Sequence, residues 1–249
     1  MKPIAVALLS LALVPACHSS NAASKEANPA APHFDAAHSD ARAIELADAA
    51  MCAMGGRAAW DATRVLTWNF FGRRKHVWDK WTGDYRLEDG ERVVLMNLDT
   101  GKGRVFDKGV EVSDAKLVEE GLKKAKSVWI NDSYWLVMPY KLKDDGVTLK
   151  YGGERALPDG RAADLLVLTF EAVGDTPQNK YEVWIARDTK LVEQWAFYAS
   201  RDDAEPKITT AWGNWQPYGS ILLSGERGPD RKLTDIAVLD APPASLRSL

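Results

Sequence analysis

The sequence has few cysteines and no excess of basic residues, and each shortage excludes a class of protein. Its two cysteines, Cys17 and Cys52, are too few for a disulfide framework. Lysine and arginine number 32 against 35 aspartates and glutamates, so the net charge is -3 and the basic stripe of a nucleic-acid-binding surface is missing. The 46% hydrophobic and 27% charged residues are typical of a folded, water-soluble chain, and 249 residues allow one large β domain or two small ones.

Motifs of catalysis and cofactor binding are also missing. Three of the four histidines precede residue 39, which leaves His76 alone in the predicted domain. The sequence contains no Gly-x-Ser-x-Gly elbow, no His-Glu-x-x-His and no Cys-x-x-Cys. Residues 99–103 contain the glycines and the lysine that are typical of a phosphate-binding loop. They join two predicted strands, however, and lack the helix that must follow such a loop. We therefore predict a non-enzymatic protein without a cofactor or a metal, while a glycosidase-like pair of carboxylates stays an open alternative.

The first residues have the layout of an export signal. Lys2 provides a positive start, residues 4–14 are apolar, and Ala16 is a small residue at the expected cleavage point. This apolar run is too short for a helix that spans a bilayer, which needs roughly 20 residues. We therefore predict that the remaining chain is exported.

The tetrad Val-Pro-Ala-Cys at 14–17 resembles a bacterial lipobox. The resemblance implies cleavage before Cys17 and lipid attachment to it, so that buried methylenes, worth roughly 0.8 kcal/mol each, would hold the protein at a membrane. His18 stands where an aspartate often marks retention at the inner membrane, which favours the outer membrane. The alternative is an ordinary signal peptide that happens to contain a cysteine. The predicted organisation is a signal peptide at 1–16, a lipidated cysteine with a flexible tether at 17–38, and a single domain at 39–249.

Two stretches of the predicted domain have helical periodicity. Apolar residues at helical spacing follow Ser39 and predict a first helix. We expect Ser39 to cap this helix and the glycines at 55–56 to end it. A second stripe predicts a mid-chain helix that Ser113 caps and that ends near Asn131. Pro139 is expected to block its continuation.

The rest of the domain alternates with a period of two. Turns such as the Asp-Gly pair at 89–90 separate the alternating runs, which predicts neighbouring antiparallel strands. Some strands carry large apolar residues on both faces, as where Leu166 opposes Leu165 and Val167. A flat sheet with one face exposed to water would have apolar residues on its other face only. The predicted fold is mainly β with helices (α+β): a strongly curved antiparallel sheet or unclosed barrel, with an N-terminal and a mid-chain helix covering its mouth.

The order of these elements over residues 39–240 resembles the LolA/LolB-like superfamily. Segments 78–86, 134–142 and 212–215 resemble an uncharacterised group of bacterial lipoproteins of that type. The resemblance implies an unclosed barrel of about eleven strands with helices across its mouth. It also implies kinship with carriers and receptors of lipoproteins and lipids, and it transfers no catalytic role.

The ten tryptophans are the one excess in the composition. The simplest explanation is that wide rings fill the core of a curved sheet. The functional interpretation is that some of them line a concave apolar pocket. The candidate lining residues are Trp68, Phe70, Trp81, Trp135, Met138, Trp184 and Trp195.

These observations predict a lipid-anchored envelope protein that faces the periplasm and binds an acyl chain or a lipoprotein-like ligand in the concave face of its sheet. Its expected partners are that hydrophobic ligand and the membrane reached through the N-terminal lipid. No nucleic acid is expected, and an envelope protein partner stays open. Two alternatives are a structural or interaction module with a filled core and a carbohydrate-directed protein that uses exposed tryptophans. The volume and lining of any interior cavity distinguish the three.

Overall fold

The computed structural model describes residues 28–171 and 174–249. The predicted signal peptide at 1–16 and the predicted lipid attachment at Cys17 lie outside the described residues. The described chain is mainly β with three α-helices, and its curved antiparallel sheets do not close into a barrel, so the predicted fold class is confirmed. The helices are α1 (Ala41–Ala53), α2 (Arg57–Ala62) and α3 (Ala115–Val137), with 3₁₀ turns at Met138–Lys141 and Ala244–Leu246.

Fourteen strands occur in the described residues. They are β1 (Val65–Phe70), β2 (Arg74–Asp79), β3 (Asp84–Asp89), β4 (Arg92–Asn97), β5 (Gly103–Asp107), β6 (Val110–Glu111), β7 (Val147–Ala156), β8 (Ala162–Phe170), β9 (Lys180–Ala186), β10 (Val192–Tyr198), β11 (Ile208–Ala211), β12 (Gly213–Tyr218), β13 (Ile221–Glu226) and β14 (Leu233–Leu239). The resemblance implies about eleven strands in one unclosed barrel. The structure instead distributes its fourteen strands over three sheets, because α3 carries the chain from the first sheet to the second.

The first sheet has seven strands in the order β14-β1-β2-β3-β4-β5-β6. Six of them follow one another as hairpins, and β14 returns from the end of the chain to pair with β1. Gly90 turns the chain from β3 to β4 with a φ of 63°, a conformation that glycine adopts without the steric cost of a Cβ. The hairpin predicted from the Asp-Gly pair at 89–90 is therefore confirmed.

The second sheet has five strands in the order β11-β10-β9-β8-β7, and β12 and β13 form a separate hairpin. In β8, the neighbouring Leu165 and Leu166 project from opposite faces, and both are buried. The sheet is therefore covered on both sides at this strand, as its double-sided apolar pattern predicts.

The first turn of α3 is capped by a carboxylate. Asp114 accepts hydrogen bonds from the backbone N–H groups of Lys116 and Leu117 at 2.9 and 3.0 Å. The prediction that Ser113 caps this helix is wrong by one residue. Asp and Ser are equally suitable caps, so the composition of the segment does not choose between them.

The end of α3 also differs from the prediction. The helix does not end near Asn131 but continues to Val137, and Pro139 lies in the 3₁₀ turn that follows. Trp135 and Val137 are buried in the core, and this burial stabilises two further turns of helix. Tertiary packing, rather than the polar sequence at 131–133, sets the helix end.

Residues 28–40 lie along the edge strand β7. The backbone N–H of Asp40 donates to the carbonyl of Leu149 at 2.9 Å, and the hydroxyl of Ser39 accepts from the N–H of Leu149 at 2.9 Å. Ser39 therefore does not cap α1; Asp40 occupies that position. Backbone hydrogen bonds of this kind do not require apolar side chains, so a polar segment can lie on a sheet edge.

Two large apolar clusters and one small one form the core of the described residues. The inter-sheet core lies between the two large sheets and includes Leu66, Leu166 and Trp135, from β1, β8 and α3. The second cluster lies between the first sheet and α3 and includes Val94 and Ala125. The long helix α3 therefore packs its first half on one cluster and its second half in the other.

Candidate functional site

Five of the seven predicted lining residues lie together in the inter-sheet core. They are Trp68, Phe70, Trp135, Met138 and Trp195, and each is at most 9% exposed. Other rings surround Trp195: the centroid of the Trp135 ring lies 4.8 Å away and that of the Trp212 ring 5.7 Å away. Neighbouring aromatic rings therefore pack closely around Trp195 in the inter-sheet core.

The other two predicted residues lie elsewhere. Trp81 is 58% exposed, and its indole N–H donates to the carbonyl of Asp61 at 3.0 Å. Trp184 alternates along β9 with the buried Val183 and Ile185, so its side chain projects from the opposite face of the sheet. There it packs against a separate small apolar cluster.

A buried polar network holds α3 against the first sheet. Asp132 of α3 accepts hydrogen bonds from Nε and Nη2 of Arg74 at 2.7 and 2.9 Å. The Nε2 atom of His76 lies 3.1 Å from Asp132, and its Nδ1 atom lies 2.8 Å from the hydroxyl of Tyr85. The ring of Trp68 stacks on the imidazole with 4.4 Å between centroids. Residues of β1, β2, β3 and α3 thus meet in one network.

Burial and hydrogen bonding set the charges of this network. Burial lowers the pKa of His76, and the favourable contact with Asp132 only partly offsets it. Burial alone would raise the pKa of Asp132, but hydrogen bonds from His76 and Arg74 lower it below its ordinary value. The network therefore holds a neutral imidazole beside an ionised carboxylate and an arginine.

This network predicts a loss of stability in weak acid. The folded state disfavours protonated His76, so the stability present above about pH 6.5 is lost as the pH falls towards the lowered pKa. The loss from this one group reaches at most about 1.4 kcal/mol one pH unit below 6.5. Urea unfolding at about pH 7.5 and 5.5 measures it, with the His76→Gln variant expected to lose less stability than wild type between the two. Equal losses in both proteins would show that His76 does not titrate on unfolding.

Arg227 holds the C-terminal end of α3. Its side chain is 1% exposed, and Nη2 donates to the carbonyls of Trp135 and Ser224 at 2.6 and 3.0 Å. The guanidinium lies 3.5 Å over the ring of Trp212, and burial lowers its pKa. The last carbonyl groups of a helix lack hydrogen-bond partners within the helix. Arg227 donates to one of them and to a carbonyl of β13, and so connects α3 with β13.

An open groove lies at the other half of α3, where the helix crosses β4 and β5. This α3 groove has a volume of about 430 Å³, within the roughly 300–1,000 Å³ that small-molecule sites occupy. The buried Met96 and the half-buried Val118 and Leu122 provide its apolar floor. The rest of the lining consists of Gly101, Lys102, Gly103, Ala115, Glu119, Lys123 and Lys126.

Beside this groove, Gly121 lets the helix approach the sheet, and Gly103 lets β5 approach the neighbouring strand β4. A Cβ on Gly121 of α3 would lie 2.9 Å from the side chain of Val105, and a Cβ on Gly103 would overlap the carbonyl oxygen of Leu95. Sequence reasoning missed the groove because its floor combines residues from β4 and α3 that no local pattern connects. The only local signal was the apolar stripe of the helix, which equally predicts ordinary packing.

The described residues contain neither a cluster of metal-ligating side chains nor a helix that could span a membrane. Across residues 28–171 and 174–249, no three His, Cys, Asp or Glu side chains come together as a metal site requires. Within the same ranges, every helix is too short or too polar to cross a bilayer. An apolar groove with charged residues at its rim is suited to non-covalent binding of a chain with a polar end.

Comparison with known proteins finds similar folds but no similar sequences. The chain matches no protein-family model. It also matches no curated protein. Among solved structures, a DUF1329 family protein from Desulfovibrio piger is 13% identical with a TM-score of 0.41, covering 79% of this chain and 92% of its own.

Two further structures are similar. A LolA superfamily protein from Nitrosomonas europaea is 8% identical with a TM-score of 0.34, and the match covers 83% of this chain and 97% of that one. The MucA/MucB complex of Pseudomonas aeruginosa matches at 14% identity with a TM-score of 0.25, over 82% of this chain and 61% of that one. The LolA superfamily is also the group that the order of elements in this sequence resembles.

Proposed function

We propose that this protein is a non-enzymatic binding module of the bacterial cell envelope that holds an acyl chain or a lipid-like ligand. The ligand lies in the α3 groove, on the face of the first sheet that α3 covers. The observation that carries the proposal is the volume of about 430 Å³ together with Met96, Val118 and Leu122 in the lining. Each methylene that moves from water into such a site contributes roughly 0.8 kcal/mol.

The predicted aromatic residues have a supporting role in this proposal. Trp68, Trp135 and Trp195 pack the core that fixes the second half of α3. They hold the helix above the sheet, so that the groove beside its first half keeps its shape. Trp129 packs against both clusters and links the core to the groove side of the helix.

The N-terminal sequence supports a location at the envelope. An export signal followed by Cys17 in a lipobox-like tetrad would fix the module to a membrane by its lipid. His18, in place of aspartate, favours the outer membrane, with the domain facing the periplasm. A groove at a membrane surface would then receive chains from lipids or from lipidated proteins nearby.

The proposal predicts that filling the groove weakens binding. In the Leu122→Trp variant, the indole takes the volume of about two methylenes of ligand, so affinity for a fluorescent fatty acid should fall about tenfold. Displacement titrations on delipidated protein measure the dissociation constants. The matched control is Leu117→Trp on the same helix, because Leu117 is 54% exposed and lies outside the lining. No uptake by wild type, or equal affinities in both variants, would contradict the groove as the site.

The filled core favours a second candidate, an interaction module without a small ligand. Trp195 is 2% exposed and surrounded by rings, which leaves no room for a chain beside this side chain. This candidate predicts that native mass spectrometry finds the gently extracted protein free of ligand. Bound lipid of defined mass would favour the first candidate.

A further inference from the structure

The rim of the α3 groove carries an excess of positive charge. Lys102, Lys123 and Lys126 line it together with one acid, Glu119, so three positive charges against one negative charge leave +2. The whole chain has the opposite sign, with a net charge of -3. The positive rim is therefore a local feature and not a consequence of composition.

The ammonium groups of Lys102 and Lys123 form no ion pair or hydrogen bond with any other described residue, and both side chains are exposed. Lys126, the third lysine of the rim, donates to the carbonyl of Leu98 at 3.0 Å. Outside the groove lining, Lys116 of the same helix lies 4.0 Å from Glu120, whereas Lys124 has no such partner among the described residues. Two ammonium groups beside the apolar floor are therefore available to a ligand.

The two elements that form the groove each contribute to this charge. Lys123 and Lys126 are three residues apart on α3 and therefore lie on one side of the helix. Lys102 comes from the turn between β4 and β5, across the groove from the helix. A ligand whose chain lies on Met96 and Leu122 would have its polar end within reach of both sides.

We propose that the α3 groove selects single-chain amphiphiles with an anionic headgroup, a carboxylate or a phosphate, held by Lys102 and Lys123. The inference rests on the proposed function, because it requires that a chain binds in this groove. An amphiphile of the same chain length with a neutral headgroup gains the apolar contact but not the electrostatic one. Opposite charges that meet beside a low-dielectric surface attract more strongly than in water, and added salt weakens them.

Isothermal titration of the full exported chain with three ligands tests the inference. The probes are decanoate, decyl phosphate and decyl glucoside, which share a chain and differ in the headgroup. We expect both anions, or one of them, to bind about tenfold more tightly than the glucoside in low salt, with the advantage reduced in high salt. The anion that binds more tightly identifies the headgroup.

Charge-neutralising variants locate the selectivity. The double variant Lys102→Gln and Lys123→Gln should weaken binding of the preferred anion about threefold to tenfold and leave the glucoside unchanged. The matched control is Lys116→Gln with Lys124→Gln, which removes two charges from the same helix outside the groove lining. Wild-type protein that binds the glucoside as tightly as the anions would overturn the inference and leave the proposed function standing. Absence of binding for all three ligands would overturn the proposed function itself.

Discussion

Replacing Asp132 with alanine is expected to lower the free energy of unfolding by about 3–5 kcal/mol. The carboxylate is fully buried, accepts two hydrogen bonds from Arg74, and lies 3.1 Å from Nε2 of His76. Without it, the largely buried guanidinium of Arg74 keeps its charge and loses its counter-ion. The helix α3 also loses an ionic attachment to the first sheet. Urea unfolding followed by tryptophan fluorescence measures the change.

The matched control for this prediction is another acid on the same helix. Glu120 is exposed and lies 4.0 Å from Lys116, so Glu120→Ala should change stability by no more than about 0.5 kcal/mol. A loss below about 1 kcal/mol for Asp132→Ala would show that the network does not hold α3.

Truncating Trp195 to alanine is expected to cost about 3–5 kcal/mol. Trp195 is 2% exposed, and its ring contacts four others, with centroids 4.8 Å from Trp135, 5.0 Å from Tyr181, 5.7 Å from Trp212 and 6.4 Å from Tyr134. The cost combines lost transfer energy with a void that these neighbouring rings cannot close fully. Thermal or urea unfolding measures it.

Trp81 provides the control for this truncation. It is 58% exposed, and Arg64 lies 5.2 Å from its ring centroid, so Trp81→Ala should cost no more than about 1 kcal/mol. Similar losses for the two tryptophans would contradict a filled core around Trp195. They would favour the prediction that this ring lines an open cavity.

The strands were predictable because their signals are local. Alternation with a period of two and the Asp-Gly turn at 89–90 depend on neighbouring residues, and both reappear in the pairing of β3 with β4. Double-sided apolar patterning at Leu165 and Leu166 likewise predicted the coverage of β8. The path of α3 decides which sheet each later strand joins, and no local sequence pattern predicts that path.

The helix boundaries show where local signals fail. Asp114 caps α3 although Ser113 has the same propensity, and burial of Trp135 extends the helix beyond the predicted end. The polar segment before Asp40 lies on β7 through backbone hydrogen bonds that composition does not reveal. In each case a contact with a distant element decides between local alternatives.

The candidate site was the least predictable part of the molecule. A tryptophan in the sequence predicts a side chain with a large apolar surface. The sequence alone does not show whether that surface contacts a ligand or another aromatic ring. The residues around His76 in the sequence do not reveal that it contacts Asp132, because Asp132 lies on a separate element. The groove depends in the same way on Met96 and Leu122 meeting across a strand and a helix.

Different interactions hold the two halves of α3 on the fold, and the ligand is proposed to bind beside only one of these halves. Asp132 and Arg227 fix the second half through buried hydrogen bonds. The first half lies on the sheet mainly through apolar contacts, with Lys126 donating to Leu98. A ligand that enters the groove therefore meets the half of the helix that can adjust at lower cost.

Methyl-selective NMR of the protein with bound decanoate tests the central claim most directly. The account predicts intermolecular nuclear Overhauser effects between the chain methylenes and the methyl groups of Met96, Val118 and Leu122. It predicts none to the methyl group of Met138, which is fully buried in the inter-sheet core. Contacts to Met138 without contacts to Leu122, or no binding at all, would contradict the account.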